Sequence, residues 1–204
     1  MDIGALLEKL IADGRVTNPN SPRGRLLAAA ARQFRQKGYG GTTVRDLASE
    51  VGILSGSIFH HVKNKEEILF SIMLEVTILM AEVVRASVAE AVSNRDKVRA
   101  LIATELSCIH GPTGDATAVL VNEWRSLSKE HQQLVLAERA VYDQQWESTL
   151  AQAREEGLVL IEPNILRQLV HGAIGWSINW FYADGDLSLE DLADRLMLLI
   201  VAER

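Results

Sequence analysis

The stretch TTVRDLASEVGILSGSIFHHVKNKEEIL, residues 42–69, carries two short apolar faces separated by a glycine. Thr43 precedes Asp46 by three residues, the spacing of a capping box, so a helix is expected to begin at Thr43. Val44, Leu47, Ala48 and Val51 recur at helical spacing and give it an apolar face, and Gly52 ends it. A second short helix is expected from Ser55, its cap, to about Val62, burying Ile58 and Val62. Its first turn is Ser55, Gly56 and Ser57, residues that fill no core but let a backbone press closely against another surface. Two such helices joined at a tight turn form a helix-turn-helix.

The same periodicity continues on both sides of this stretch. A short amphipathic helix, Ile3 to Ala12, ends at Asp13-Gly14, and Asn18-Pro19-Asn20-Ser21-Pro22 reads as a linker. Leu26, Leu27, Ala30, Ala31 and Phe34 mark a further helix that stops at Gly38. Beyond Asn64, a cap, a long helix is expected from Lys65 to about Ala91. Helices near 96–109, 115–128, 131–156, 163–182 and 188–202 complete the chain, broken at Gly111-Pro112-Thr113-Gly114, Gly157 and Asp184-Gly185-Asp186. No sustained alternation of polar and apolar residues suggests strands. The expected fold is all-α: an N-terminal extension over residues 1–21, a three-helix head over 22–69, and a larger helical body over 70–204.

Composition narrows the setting. The chain of 204 residues is 48% hydrophobic and 24% charged, enough for a sizeable core. One cysteine, Cys108, excludes an internal disulfide framework and fits a reducing compartment. The N-terminus holds acidic Asp2 and Glu8 rather than a basic region before an apolar run, so a cytoplasmic protein is expected. No stretch reaches the roughly 18 apolar residues of a membrane span.

The net charge of −6 conceals a division. Residues 22–69 hold eight basic side chains against four acidic ones, whereas the remainder holds thirteen basic against twenty-three acidic. A basic head on an acidic body points to a polyanionic partner for the head. A helix-turn-helix lays its second helix in the major groove of double-stranded DNA and its first across the phosphates. Thr42, Thr43 and Arg45 at the first helix and Lys65 at the start of the long helix are the expected phosphate contacts. Ser55, Gly56, Ser57, His60 and His61 are the expected residues of the groove-facing segment.

Residues 42–69 resemble the DNA-binding signature of TetR-family transcriptional repressors, and the number and order of the remaining helices are similar. The resemblance implies a homodimer whose body binds a small molecule and thereby releases a palindromic operator. GILSGSIFHH and the cluster Trp176, Trp180, Phe181 and Tyr182 also look like the branch of CoA-thioester-responsive regulators of lipid and steroid catabolism. That branch often has Arg where this chain has Asn179.

The last two helices are apolar nearly all round and need covering by a partner chain, with Leu169, Leu196, Leu199 and Ile200 as the expected dimer contacts. Glu123, Trp124 and Arg125, with Trp146, Trp176, Asn179 and Trp180, are the expected effector contacts: aromatic walls with a few polar groups are how small-molecule pockets are built. A hydrophobic effector, an acyl-CoA thioester or a neutral drug-like compound, would shift the long helix that begins at Lys65. An enzyme or carrier is the more distant reading. The sequence has no nucleophile elbow, dinucleotide fingerprint, P-loop or zinc-protease motif, so no catalytic residue, metal or cofactor is expected.

Overall fold

The computed structural model describes residues 3–60 and 62–202, all of whose regular elements are helical. In chain order these are α1 (Ile3–Ala12), α2 (Pro22–Gly41), α3 (Val44–Glu50), a 3-10 segment (Ser55–His60), α4 (Lys65–Glu90), α5 (Asn94–His110) and α6 (Gly114–Asn122). A 3-10 turn (Trp124–Ser126), α7 (Lys129–Glu155), α8 (Pro163–Trp176), a further 3-10 turn (Ser177–Asn179) and α9 (Leu189–Ile200) follow.

Local chemistry sets most of the starts. Ser21 caps α2 by accepting the Gly24 N–H, and Pro22 occupies the first helical position, where its missing N–H costs nothing. Thr43–Asp46, Ser93–Asp96 and Ser188–Asp191 each close a capping box, at the starts of α3, α5 and α9. In all three the carboxyl lies below the usual carboxylate range, first because the capping hydroxyl donates to it and then because the cap N–H does.

The described residues form two compact units, with boundaries inside α4 and α7. The head unit takes residues up to Leu79 together with Thr113–Arg139. Its core joins Leu26, Phe34, Leu47, Ile58, Leu69 and Met73 to Val119, Leu127 and Val135. The chain-order division at 69/70 therefore differs from the packing: α6 and the start of α7 complete the head because their apolar faces close its core. Helix α1 packs Leu10 against Ile78 of α4. Arg15 is tied to Glu138, and the Thr17 N–H and hydroxyl both donate to Glu75.

The body unit takes Met80–Pro112 and the residues from Ala140 onward. Its core is built on Leu101, Ile102 and Leu106 of α5, Trp146 and Leu150 of α7, Val170 and Ile174 of α8, and Leu196 and Met197 of α9. Helix α8 is shorter than the expected 163–182. The buried Ser177 hydroxyl donates to the Ile174 carbonyl and lies 2.7 Å from His110 Nε2, and the chain turns to bury Phe181 against the His110 ring. Similarly α6 ends at Asn122, so the expected helix 115–128 is a helix and a 3-10 turn.

Leu196 corrects an expectation: it is a core residue of its own body unit, whereas Leu199 is 80% exposed. Leu196→Ala is accordingly expected to cost the body about 2–5 kcal/mol, the range for a buried leucine truncation. A lowered urea midpoint would register that loss, and Leu199→Ala should leave the midpoint of the isolated chain nearly unchanged.

Candidate DNA-binding surface

The helix-turn-helix is assembled on a corner of chain between α2 and α3. Gly38, with φ of 75°, breaks the helical run of α2, and the Tyr39 N–H turns to donate to Glu123 Oε1 at 2.9 Å. The Lys65 ammonium donates to the carbonyls of Tyr39 and Thr42, at 2.8 and 2.9 Å, and lies 4.1 Å over the Tyr39 ring. The Thr42 hydroxyl donates back to the Gly38 carbonyl at 3.0 Å.

Two of the expected phosphate contacts are therefore corrected. Thr42 is 1% exposed, and its hydroxyl closes the end of α2 rather than facing outward. Lys65 spends its donors on carbonyls of the corner, so its role is to position the helix-turn-helix. Thr43 and Arg45 remain at the surface, with Thr43 also serving as the cap of α3.

Helix α3 ends as its glycine requires. Gly52 has φ of 71°, its N–H donates to the Ser49 carbonyl, and the Ile53 N–H donates to the Ala48 carbonyl. These are the two bonds of a Schellman ending, which turns the chain directly into the next segment. That segment, Ser55–His60, is 3-10 rather than α-helical and starts with the Ser57 N–H donating to the Leu54 carbonyl at 2.8 Å. Its composition explains the difference: Ser, Gly and Ser are weak helix formers, and the segment is shorter than two α-helical turns. Ile58 anchors it in the head core with no exposed surface.

Outward, Gly56 and His60 are exposed and Ser55 and Ser57 partly so. Gly56 is not demanded by the fold. Its φ is not positive, and a Cβ built there meets nothing within 4 Å. A glycine with free space around it and ordinary backbone is what a surface needs if something outside must come close. The expected groove residue His61 lies outside the described residues.

The expected effector residues are distributed over both units. Glu123, Trp124 and Arg125 belong to the head unit, where Glu123 is committed: Oε1 accepts from Tyr39 and Oε2 accepts the Ser126 hydroxyl. Trp146, Trp176, Asn179 and Trp180 belong to the body. Trp146 is fully buried, edge-on to His171 at 4.7 Å, while Trp176 is 67% exposed and Trp180 and Asn179 are exposed as well. The α-helical register that would align Trp176 with Trp180 is lost where α8 ends.

The body also contains a polar cluster that sequence reasoning missed. The Tyr142 hydroxyl donates to Glu105 Oε2 at 2.6 Å, and His171 Nε2 lies 3.1 Å from the same oxygen. Burial first, and then the Glu105 charge, push the Tyr142 phenol well above its ordinary range. The signal was Glu105 itself, a carboxylate on a helix face otherwise made of Leu101, Ile102, Leu106 and Ile109. Of the arginines that could meet an anionic effector, Arg154 is paired with Glu162, and Arg167 with Asp143 and Glu147.

A family model described as bacterial regulatory proteins of the tetR family matches residues 26–72, and one described as the tetracyclin repressor-like C-terminal domain matches residues 81–203. The transcriptional repressor KstR2 of Mycobacterium tuberculosis is 23% identical over 184 residues, covering 89% of this chain and 92% of the relative. A solved structure of AibR with isovaleryl coenzyme A and operator DNA superposes with a TM-score of 0.80 at 25% identity, covering 88% of this chain and 98% of the other. A structure described as the superantigen pfit superposes with a TM-score of 0.84 at 44% identity, covering 98% of this chain and all of the other.

The two glycines of the turn should separate folding from recognition. Gly52→Ala forces an L side chain into the left-handed region and is expected to cost about 1 kcal/mol of stability. Gly56→Ala should leave the melting temperature unchanged or slightly raised. Extending the substitution to Gly56→Leu should abolish DNA binding while circular dichroism still reports a folded protein.

Proposed function

The chain belongs to the TetR family of bacterial regulatory proteins, and on that premise we propose that it grips a palindromic operator as a homodimer and releases it on binding a hydrophobic acyl effector. That it is a TetR-family transcriptional repressor rests on the family and on the repressors among its relatives. The observation that carries the DNA-binding reading is the head surface itself: small residues on a segment anchored by Ile58, with open space at Gly56, flanked by surface Thr43 and Arg45. A chain described as a superantigen has the same fold, so fold alone does not choose the activity. This surface favours nucleic acid, because its apolar and small groups sit in a basic block.

Dimerisation is supported by what α8 and α9 leave uncovered. Ile165, Leu169 and Trp176 form a stripe along α8, spaced four and seven residues apart, and Leu198 and Leu199 stand out from α9. A single soluble chain rarely leaves so many large apolar groups open on neighbouring elements, and a two-fold partner presenting the same surface would cover them. The expected Leu169, Leu199 and half-covered Ile200 stay in this proposal, and Trp176 and Trp180 join it in place of lining an effector pocket. The two heads would then meet major grooves about 34–36 Å apart.

For the effector we look to the body, where Trp146, Tyr142, His171 and Glu105 offer apolar walls with a few polar groups. AibR in complex with isovaleryl coenzyme A favours an acyl-CoA over a neutral compound for this chain. A thermal-shift comparison of isovaleryl-CoA, isovalerate and CoA tests the choice, since a ligand that binds the native state raises its melting temperature. Stabilisation by the thioester, without stabilisation by either fragment at equal concentration, is the expected pattern. Equal inertness of all three would remove the short-chain acyl-CoA reading and leave the repressor standing.

Two further outcomes are expected. Arg45→Ala should weaken binding to every DNA sequence and flatten the log–log salt dependence by about one unit, the mark of one lost phosphate contact. Leu169→Glu combined with Leu199→Glu should yield a folded monomer by light scattering; a persistent dimer would refute this interface.

A further inference from the structure

The groove-facing segment carries an unusual set of side chains for reading bases. From the turn to the end of the 3-10 segment the residues are Ile53, Leu54, Ser55, Gly56, Ser57, Ile58, Phe59 and His60. None is Arg, Lys, Asn or Gln, the side chains that bond two base-edge atoms at once on guanine or adenine. Sequence discrimination by paired hydrogen bonds is therefore unavailable to this segment. Its apolar content offers the remaining route.

Of the large apolar side chains between residues 4 and 91, those that stay exposed are Ile53, Leu54 and Phe59. Leu54 is 80% exposed and Phe59 55%, while their neighbour Ile58 is wholly buried and so fixes the segment on the head. Leu54 lies three residues before Ser57, to which its carbonyl is bonded, so the start of the segment is held by the backbone. Apolar groups kept in water cost free energy unless a partner covers them. The surroundings identify the partner: the segment is flanked by Arg45 and Lys63 at the surface of the basic block, which favours a polyanion over an apolar protein face. In the major groove the apolar feature of a base edge is the thymine 5-methyl group.

We propose that Leu54, with the exposed Phe59 five residues further on, reads thymine 5-methyl groups in each operator half-site. The proposal rests on the operator-binding reading and adds the base that the head recognises. It makes this surface a thymine reader by apolar contact, with Ser55 and Ser57 supplying single hydrogen bonds and Gly56 the clearance for the approach.

The experiment uses the full chain and DNA alone. Duplexes enriched by the protein from a random-sequence library are resynthesised with deoxyuridine replacing thymine one position at a time, which removes a single methyl group and leaves base pairing unchanged. At one or two thymines per half-site, binding is expected to weaken about fourfold, the worth of one buried methyl. Leu54→Ala, at an exposed position with no expected effect on melting temperature, should bind the thymine and deoxyuridine duplexes equally at one of these positions. An enriched operator indifferent to every deoxyuridine, or a Leu54→Ala variant that still discriminates in full, would overturn the inference while leaving operator binding intact. Enrichment of no sequence would overturn operator binding and this inference together.

Discussion

The ammonium group of Lys65 holds the head together at the place where its function is decided. From the first turn of α4 it donates to the carbonyl of Tyr39, which also accepts the Thr42 N–H, and to that of Thr42, the residue that caps the end of α2. A lysine is suited to this: it can point several N–H donors at carbonyls that diverge, and the Tyr39 ring beneath it adds a cation–π contact. Glu123, the residue that ends α6, completes the corner by accepting the Tyr39 N–H. With the corner fixed, Thr43 begins α3 in one orientation, and the Schellman ending at Gly52 passes that orientation to the groove-facing segment. The position of Leu54, Gly56 and Ser57 at the surface follows from polar groups several residues away.

The head and body use polar groups for different ends. In the head they tie termini: Glu66 on α4 accepts the Ser128 N–H and the His131 imidazole N–H at the start of α7, and the His131 ring stacks on Phe70. Those bonds, the Ser128 backbone one first, hold the Glu66 carboxyl below its ordinary range. A depressed carboxyl contributes stability above its unfolded value and loses it as pH falls through the folded one, so this tie weakens in acid. In the body, the polar groups are inside the core. Glu105, Tyr142 and His171 satisfy one another there, and a buried carboxylate is tolerable because donors face it.

A repressor needs a surface that binds strongly in general and selectively in detail. In the proposed reading, phosphate contacts by the exposed Thr43 and Arg45 serve the first need, and such contacts carry no sequence information. In the proposed reading selectivity comes from residues 53–60, a short segment that mixes small Ser55, Gly56 and Ser57 with exposed Ile53, Leu54 and Phe59. Ile58 anchors the segment, and residues 53–60 lack the Arg, Lys, Asn or Gln side chains that bond two base-edge atoms at once. Large apolar groups are also left exposed on α8 and α9, at Ile165, Leu169, Trp176, Leu198 and Leu199, and in the proposed dimer a partner chain covers them.

Sequence alone determined the helical class, the starts at Thr43 and Ser188, the turn at Gly52 and the basic character of residues 22–69, because each depends on neighbours within a few positions. Tertiary structure decided what lies far apart in the chain. Thr42 and Lys65 looked outward by pattern, but carbonyls at the end of α2 and its cap accept their donors. Leu196 and Leu199 have the same side chain three positions apart on one helix, and packing buried the first and exposed the second. Trp146 and Trp176 differ in the same way. Periodicity says that a residue is apolar and where it falls around a helix. Only the packed neighbours say whether its own chain covers it, and the division into units, with 113–139 completing the head, arose from those neighbours as well.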